Sequence, residues 1–155
     1  MDPNFWHKRW EKNEIGFHQS AVNVLLSDHF SGLSLPQTSR VFVPLCGKTR
    51  DIAWLLSQGH RVVGVELSKL AVEELFVDLG VAPKISVHGE LLRYSAPGLE
   101  IFVGDIFELS GDLLGRVDAI YDRAALVAFP TEMRGRYGAN VASITQLAPK
   151  FLICL

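Results

Sequence analysis

The sequence predicts an α/β fold in which a mainly parallel sheet is covered by helices on both faces. From Arg40 onward, apolar runs of strand length alternate with stretches that have the apolar periodicity of helices. The runs are apolar at successive positions, as expected of strands that are buried on both faces. Turn and capping residues such as Gly59, Ser68 and Gly80 separate strands from helices. Together these features favour a layered fold with a parallel sheet.

Residues 1–35 precede the alternating part and are predicted to be a helical segment. Trp6 and Trp10 lie four residues apart, so they share one face of a helix. The polar residues around Pro36 form a loop before the first strand. The predicted elements of this segment are a helix over Phe5–Trp10, a break at "IGFHQS" and a helix over Ala21–His29.

The remaining residues, 40–155, are predicted to form the core, and residues 1–155 together a single domain. The stretch "LLRYSAPGLEIFVGD" is consistent with a hairpin that turns at Ala96-Pro97-Gly98. Thr131 is expected to cap the last helix, which Gly135 and Gly138 weaken by about 1 kcal/mol each. The predicted strands are Arg40–Leu45, His60–Leu67, Leu99–Val103, Val117–Tyr121 and Phe151–Leu155, and the predicted helices are Asp51–Gln58, Lys69–Leu79 and Thr131–Leu147.

The composition excludes several classes of function. Fifteen Lys and Arg against 17 Asp and Glu give a net charge of −2, which offers no electrostatic case for nucleic acid. The longest apolar runs are of strand length, and the first residues are polar, so we expect neither a transmembrane helix nor a signal peptide. Cys46 and Cys154 are expected to be reduced thiols of a cytoplasmic monomer, and the five histidines lack ligand spacing for a metal.

The residues that end the predicted strands are the first candidates for a binding site. In open parallel sheets, ligands bind outside the carboxyl ends of the strands, near the point where the strand order switches. These strand ends are Leu45-Cys46-Gly47, Glu66, Asp105 and Asp122-Arg123.

Each of these candidates also has a purely structural interpretation. Glu66 lies about twenty residues past the first loop, where an acid can accept hydrogen bonds from ribose hydroxyls; alternatively it stabilises the start of the helix at Ser68. Asp105 fits the amino group of adenine or is a solvated turn residue. Arg123 points toward the cleft region or forms a surface ion pair, which would contribute little stability. From the residues alone, these alternatives stay open.

The first loop separates two classes of cofactor. A pyrophosphate needs several backbone N–H groups at a helix N-terminus, with glycines that allow close approach. The loop "PLCGK" has one glycine, Pro44 has no N–H, and Leu45 brings a side chain into the space. A dinucleotide therefore fits poorly. S-Adenosylmethionine has no phosphate, and Leu45, Glu66 and Asp105-Ile106 offer a backbone wall, a ribose acceptor and an apolar slot for its adenine.

The aromatic residues of the N-terminal segment have two interpretations. Trp6, Trp10 and Phe17 could form a lid over the cleft, since aromatic faces attract a sulfonium and exclude water. From the residues alone, tryptophans at helical spacing are more often part of a hydrophobic core. His18 and Gln19 are expected to be loop residues.

The motifs "FWHKRWEKNEIGFHQ", "VFVPLCGKTRDIAWL", "HRVVGVELS" and "YDRAALVAFP" resemble those of the thiopurine S-methyltransferase family, and the similarity extends from Phe5 to Leu155. The resemblance implies the class I S-adenosylmethionine-dependent methyltransferase fold, with a Rossmann-like core over residues 40–155 and a lid over residues 1–35. Trp10, Leu45, Glu66 and Arg123 match the family's cofactor contacts. Phe17, Asp105 and Ile106 match further contacts around the methionine end and the adenine.

The resemblance also implies a reaction. Members of the family methylate the sulfur of aromatic and heterocyclic thiols such as thiopurines, and S-adenosylhomocysteine is the product. Arg123 would assist by favouring the thiolate. Relatives continue past the fifth core strand, so the family's final strands are expected to be missing here. The alternatives are methylation of selenium or tellurium compounds, a domain that binds the cofactor without turnover, and a nicotinamide-dependent oxidoreductase.

Overall fold

The computed structural model describes residues 2–153 and shows seven strands in one sheet with helices around it. The strands are β1 (Arg40–Pro44), β2 (Arg61–Glu66), β3 (Lys84–His88), β4 (Leu91–Ala96), β5 (Leu99–Val103), β6 (Ala119–Arg123) and β7 (Lys150–Ile153). The helices are α1 (Pro3–Glu11), α2 (Val24–His29), α3 (Arg50–Ser57), α4 (Lys69–Leu79), α5 (Gly111–Leu114), α6 (Ala125–Ala128) and α7 (Thr131–Ile144), and short 3₁₀ turns cover Phe30–Leu33 and Ile106–Glu108.

The strand order across the sheet is β3-β4-β5-β2-β1-β6-β7. Strands β5, β2, β1, β6 and β7 are mutually parallel, whereas β3 and β4 join through antiparallel pairing. After β1 and β2 the chain passes to the far edge at β3, returns through β4 to β5 beside β2, and then crosses to the other side of β1 with β6. This switch in strand order places the carboxyl ends of β1, β2 and β6 beside one another, and the predicted mainly parallel sheet is confirmed.

The core lies on both faces of the sheet, as the continuous apolar strands predict. In β1, Val41 and Val43 belong to one buried cluster and Phe42 to the other. The first cluster packs against α3 and α4 through residues such as Leu55 and Phe76. The second packs against α5, α6 and α7 and contains Leu114, Ala125, Phe129, Tyr137 and Val141. No helix within residues 2–153 is long and apolar enough to cross a membrane.

Some predicted element boundaries are wrong by a few residues. β1 ends at Pro44 rather than Leu45, because Leu45 has a left-handed backbone with φ of 50°. β6 covers Ala119–Arg123 rather than Val117–Tyr121, so Arg123 is the last residue of the strand. The last helix ends at Ile144 instead of Leu147, because the φ values of Gln146 and Leu147 are positive. Thr131 is the first helical residue, not the cap.

The predicted hairpin at residues 96–98 is present between β4 and β5, but β3 was not predicted. β3 is an edge strand, and its Ile85 and Val87 side chains are exposed, so no buried face marks it in the sequence. Helix α2 begins at Val24 with Asn23 as its cap, later than the predicted Ala21. The predicted last strand is present as Lys150–Ile153, and the prediction for its final two residues falls outside the described part of the chain.

We expect Gly135→Ala to raise the free energy of unfolding by about 1 kcal/mol, because alanine has a higher helix propensity than glycine. A Cβ atom at Gly135 would meet nothing within 4 Å, so no contact opposes the gain. Urea unfolding of the two proteins measures the difference. Gly47→Ala is the control and should lower the free energy of unfolding, since Gly47 has φ of +52° and an added Cβ would lie 3.0 Å from Cζ2 of Trp10. A lower midpoint for Gly135→Ala would contradict the prediction.

Candidate active site

Two neighbouring clefts open along the carboxyl edge of the sheet and contain every residue predicted to contact the cofactor. The first, here called the Trp10 cleft, has a volume of about 270 Å³, and its lining includes Trp10, Phe17, Leu45, Glu66 and Arg123. The second, the Asp105 cleft, has a volume of about 150 Å³, and its lining includes Leu45, Leu67, Asp105 and Ile106. Leu45 and Leu67 line both clefts, so the two clefts share a wall.

The loop after β1 forms the boundary between the two clefts. Leu45 has φ of 50° and Gly47 has φ of 52°, so two residues of the loop are left-handed within three positions. The backbone N–H of Cys46 donates to the Val65 carbonyl at 3.1 Å, which fixes the loop to the end of β2. A left-handed leucine costs about 1–2 kcal/mol, and such strain is frequent at ligand sites. The Leu45 side chain packs against the second core cluster, which offsets part of that strain.

We expect Leu45→Gly to be more stable than Leu45→Ala by about 1 kcal/mol, although alanine is usually the more favourable residue. Both variants lose the same packing against the core beyond Cβ, but only glycine adopts the left-handed backbone without strain. Urea unfolding of the pair isolates the backbone effect. Equal stability, or a more stable alanine variant, would show that this loop is not strained.

Glu66 holds the loop after β1 and the start of α4 together. Its Oε1 accepts a hydrogen bond from the Gly47 N–H at 3.0 Å, and its Oε2 accepts one from the Ser68 N–H at 2.7 Å. The side chain is buried, and burial raises the pKa of its carboxyl group while the backbone donors oppose that shift. Glu66 therefore does stabilise the start of the helix at Ser68, as its structural interpretation predicts. Each oxygen retains a further lone pair, so contact with a ribose stays a prediction.

Arg123 ends β6 and reaches the N-terminal segment. Its Nη2 donates a hydrogen bond to the Phe17 carbonyl at 2.8 Å. Its Nε is buried and has no hydrogen-bond partner among residues 2–153. Asp122 faces the other side of the sheet, where it accepts hydrogen bonds from the Tyr137 hydroxyl and the Ala125 N–H. Within residues 2–153 Arg123 thus forms no surface ion pair, and that structural interpretation is wrong. Its Nε is a buried, unpartnered donor on a side chain that lines the Trp10 cleft.

The aromatic residues of the N-terminal segment pack over the loop after β1. The Phe17 ring lies edge-on to Trp10 at 5.6 Å and to Trp6 at 5.8 Å between ring centroids. Trp10 is buried, and its ring closes so tightly on Gly47 that a Cβ there would lie 3.0 Å from the indole. Trp10 is therefore a packed residue, as the core interpretation predicted. It also lines the cleft, as the lid interpretation predicted.

Asp51 and Tyr121 are cleft residues that the sequence reasoning missed. The Tyr121 hydroxyl donates to Oδ2 of Asp51 at 2.7 Å, while Oδ1 of Asp51 accepts from the Asn23 N–H at 2.7 Å. Burial and the neighbouring Asp51 raise the pKa of Tyr121, so the hydroxyl remains a donor. These bonds tie the start of α2 to the sheet beneath the Trp10 cleft. The only signals in the sequence were an acid in the first turn of α3 and a tyrosine before Asp122-Arg123.

Two further side chains of the Trp10 cleft bear on its chemistry. Cys46 is a free, buried thiol, and burial raises its pKa, so it is not a nucleophile at neutral pH. Cys154 lies outside the described residues, so the expectation that both cysteines are reduced stays a prediction. His18, which is expected from the sequence to be an ordinary loop residue, lines the same cleft. No cluster of three or more metal-binding side chains is present within residues 2–153.

The fold is that of class I methyltransferases. A 1,6-didemethyltoxoflavin-N1-methyltransferase from Burkholderia thailandensis, solved with bound 1,6-didemethyltoxoflavin and S-adenosylhomocysteine, is similar with a TM-score of 0.66. That similarity covers 92% of this chain and 56% of the other, at 18% sequence identity, which establishes the architecture and not the substrate. The predicted fold class is therefore confirmed.

A family model described as Thiopurine S-methyltransferase matches residues 1–155. The thiopurine S-methyltransferase of Xanthobacter autotrophicus is 56% identical over 99% of this chain and 73% of its own length. That of Teredinibacter turnerae is 51% identical over 99% of this chain and 71% of its own. The protein is thus an S-adenosylmethionine-dependent methyltransferase. It belongs to the thiopurine S-methyltransferase family, which confirms the resemblance and the cofactor and displaces the nicotinamide alternative.

Proposed function

We propose that this chain transfers a methyl group from S-adenosylmethionine to the sulfur of aromatic or heterocyclic thiols such as thiopurines. The observation that carries the proposal is the shared boundary of the two clefts at Leu45. On one side lie the aromatic residues and Arg123, and on the other lie Asp105 and Ile106. The names of the relatives at 51–56% identity supply the acceptor class.

The residues present fit the parts of the cofactor. Glu66 has free lone pairs for the two ribose hydroxyls, and the Asp105 cleft offers Ile106 and Phe107 beside the Asp105 carboxylate for adenine. The unpartnered Nε of Arg123 supplies a donor for the methionine end in the Trp10 cleft. The two volumes together fall in the range of roughly 300–1,000 Å³ typical of small-molecule sites.

S-Adenosylmethionine, when bound, supplies an electrophilic methyl group on a sulfonium. The protein's own contribution is alignment and exclusion of water, for which Trp10 and Phe17 are placed. The charge of Arg123 favours the thiolate form of an acceptor in the same cleft. A heteroaromatic thiol is already fairly acidic, so no Ser/His or Cys/His pair is required.

The same proposal includes the protein's partners and location. The acceptor is a small molecule, and we expect a cytoplasmic monomer that binds neither nucleic acid nor membrane. Selenium or tellurium compounds as acceptors, and cofactor binding without turnover, are the alternatives that the experiment separates.

The test combines calorimetry and turnover. We expect the chain to bind S-adenosylhomocysteine but not NAD, and to convert 6-mercaptopurine and S-adenosylmethionine into the methylthiopurine and S-adenosylhomocysteine, detected by mass spectrometry. Binding without product from thiols would refute the acceptor class. Product from selenite or tellurite alone would support the first alternative, and no product at all the second. Failure to bind S-adenosylhomocysteine would refute the assignment of the site.

A further inference from the structure

The Trp10 cleft offers hydrogen-bond donors that have no partner within residues 2–153. The side chains of His18, Lys48 and Arg123 all line it. Its two acids, Asp51 and Glu66, each accept hydrogen bonds from two donors of neutral groups, and within residues 2–153 neither forms an ion pair with a cation. The formal charges of these two acids balance those of Lys48 and Arg123, so what the cleft leaves open is hydrogen bonding, first of all by the buried Nε of Arg123. An anionic group of a ligand can accept a hydrogen bond from this guanidinium.

The imidazole of His18 has no hydrogen-bond partner among the described residues, whereas both acids of the cleft have partners. Partial burial lowers its pKa, and Lys48, Arg50 and Arg123 lower it further, while Asp78 opposes them. These charged groups belong to the loop after β1, to α3, to β6 and to α4, which are the elements around the ring. His18 is thus mainly neutral at pH 7 in the free protein, and an anion beside it would reverse that preference.

We propose that His18, together with Lys48 and Arg123, forms a subsite that binds an anionic group of a ligand, and that the imidazole takes up a proton as that group binds. Lys48 already pairs with Glu74 at 3.0 Å, so its charge is partly compensated and His18 supplies the missing positive charge. The anion has two possible sources, the methionine carboxylate of the cofactor and an anionic acceptor. The first source rests on the proposed function.

Proton uptake gives this subsite a distinctive pH dependence. Where the free ring is neutral and the bound ring is charged, affinity for the anion increases as the pH falls, by up to about tenfold per pH unit. The increase ends once the free ring is also protonated. Contact between a ligand and the ionised carboxylate of Glu66 would have the opposite sign, because it releases protons. The two effects are therefore separable.

The experiment is titration calorimetry at pH 7 in buffers of different ionisation enthalpy, which measures protons taken up per ligand bound. One arm uses S-adenosylhomocysteine and its decarboxylated analogue. The other uses the saturated S-adenosylhomocysteine complex with 4-mercaptobenzoate and with thiophenol. Uptake with S-adenosylhomocysteine that disappears with the decarboxylated analogue assigns the subsite to the cofactor. Uptake confined to the thiols, whether both or only the carboxylate-bearing one, assigns it to the acceptor.

His18→Asn should abolish the uptake and reduce affinity for the ligand that causes it about threefold to tenfold at pH 6.5, with little change for a ligand that causes no uptake. His29→Asn, an exposed histidine of α2 outside both clefts, is the matched control and should retain the uptake. Binding without proton uptake in either arm, or uptake that persists in His18→Asn, would overturn the subsite while leaving the proposed function intact. If S-adenosylhomocysteine does not bind, the proposed function fails. The subsite is then tested by 4-mercaptobenzoate without the cofactor product: proton uptake supports it, and binding without uptake overturns it.

Discussion

Replacing Glu66 by glutamine is expected to weaken binding of S-adenosylhomocysteine by about 30-fold to 1,000-fold, which corresponds to about 2–4 kcal/mol. The carboxylate accepts from the N–H groups of Gly47 and Ser68, so it positions the loop after β1 as well as offering lone pairs to a ribose. Glutamine has one acceptor oxygen instead of two. It cannot satisfy both backbone donors and both hydroxyls. Calorimetry with S-adenosylhomocysteine measures the loss.

The chain should nevertheless stay folded in the Glu66→Gln variant. Burial raises the pKa of Glu66 in the folded chain, so the favourable contribution of this group is present at low pH and is lost as the pH rises through that pKa. At neutral pH, the neutral glutamine therefore avoids the desolvation of a charge, which offsets part of the lost backbone hydrogen bonding. Circular dichroism and thermal unfolding verify the fold.

Glu100→Gln is the matched control for Glu66. Glu100 is partly buried, and its carboxylate pairs with Arg93 at 3.0 Å and Arg40 at 3.5 Å near the amino end of β5, away from both clefts. We expect its affinity for S-adenosylhomocysteine to equal that of the unaltered chain. Wild-type affinity in a folded Glu66→Gln variant would remove Glu66 from the cofactor site and leave it as an anchor of the loop.

Arg123→Ala is expected to lower kcat/KM for a thiopurine by about 10-fold to 100-fold, since charge-assisted hydrogen bonds contribute about 1.5–3 kcal/mol. The change removes the bond from Nη2 to the Phe17 carbonyl and the charge that favours the thiolate. Its rate should recover partly at higher pH, where the thiol ionises unaided. Arg123→Lys retains the charge but loses the planar fork, so it should bind the cofactor more weakly and keep intermediate turnover.

The measurement for Arg123 is turnover against pH for both variants. Arg116→Ala serves as the control, because the Arg116 side chain is 89% exposed at the opposite end of the sheet and pairs with Asp118. That variant should be indistinguishable from the unaltered chain. A rate for Arg123→Ala at neutral pH that equals the unaltered chain's rate would exclude any role of the guanidinium in catalysis.

Local patterns were sufficient to predict the sheet and the edge at which the clefts open. Apolar runs such as Val41–Pro44 identify strands that are buried on both faces, and the residues that follow them must then meet at one edge. Because side chains alternate along a strand, Asp122 and Arg123 point to opposite faces of β6. The predicted strand ended at Tyr121, two residues too early, and therefore did not show this separation.

Contacts between distant parts of the chain were not predictable in this way. The bonds of Asp51 with Asn23 and Tyr121 join residues 28 and 70 positions apart, and no periodicity encodes such a pairing. His18 shows the same difficulty, because its place in the Trp10 cleft depends on how the N-terminal segment folds over the sheet. Edge strand β3 escaped prediction because exposed apolar residues carry no burial pattern.

Hydrogen exchange with and without S-adenosylhomocysteine tests the central claim, that the two clefts joined at Leu45 hold the cofactor. We expect slower exchange in three separate segments, residues 5–19, 45–49 and 104–107, which line the Trp10 and Asp105 clefts. The edge strand β3, outside both clefts, should be unchanged, and NAD at the same concentration should protect none of these segments. Saturating S-adenosylhomocysteine that protects other segments, or only one of the two clefts, would contradict the assignment.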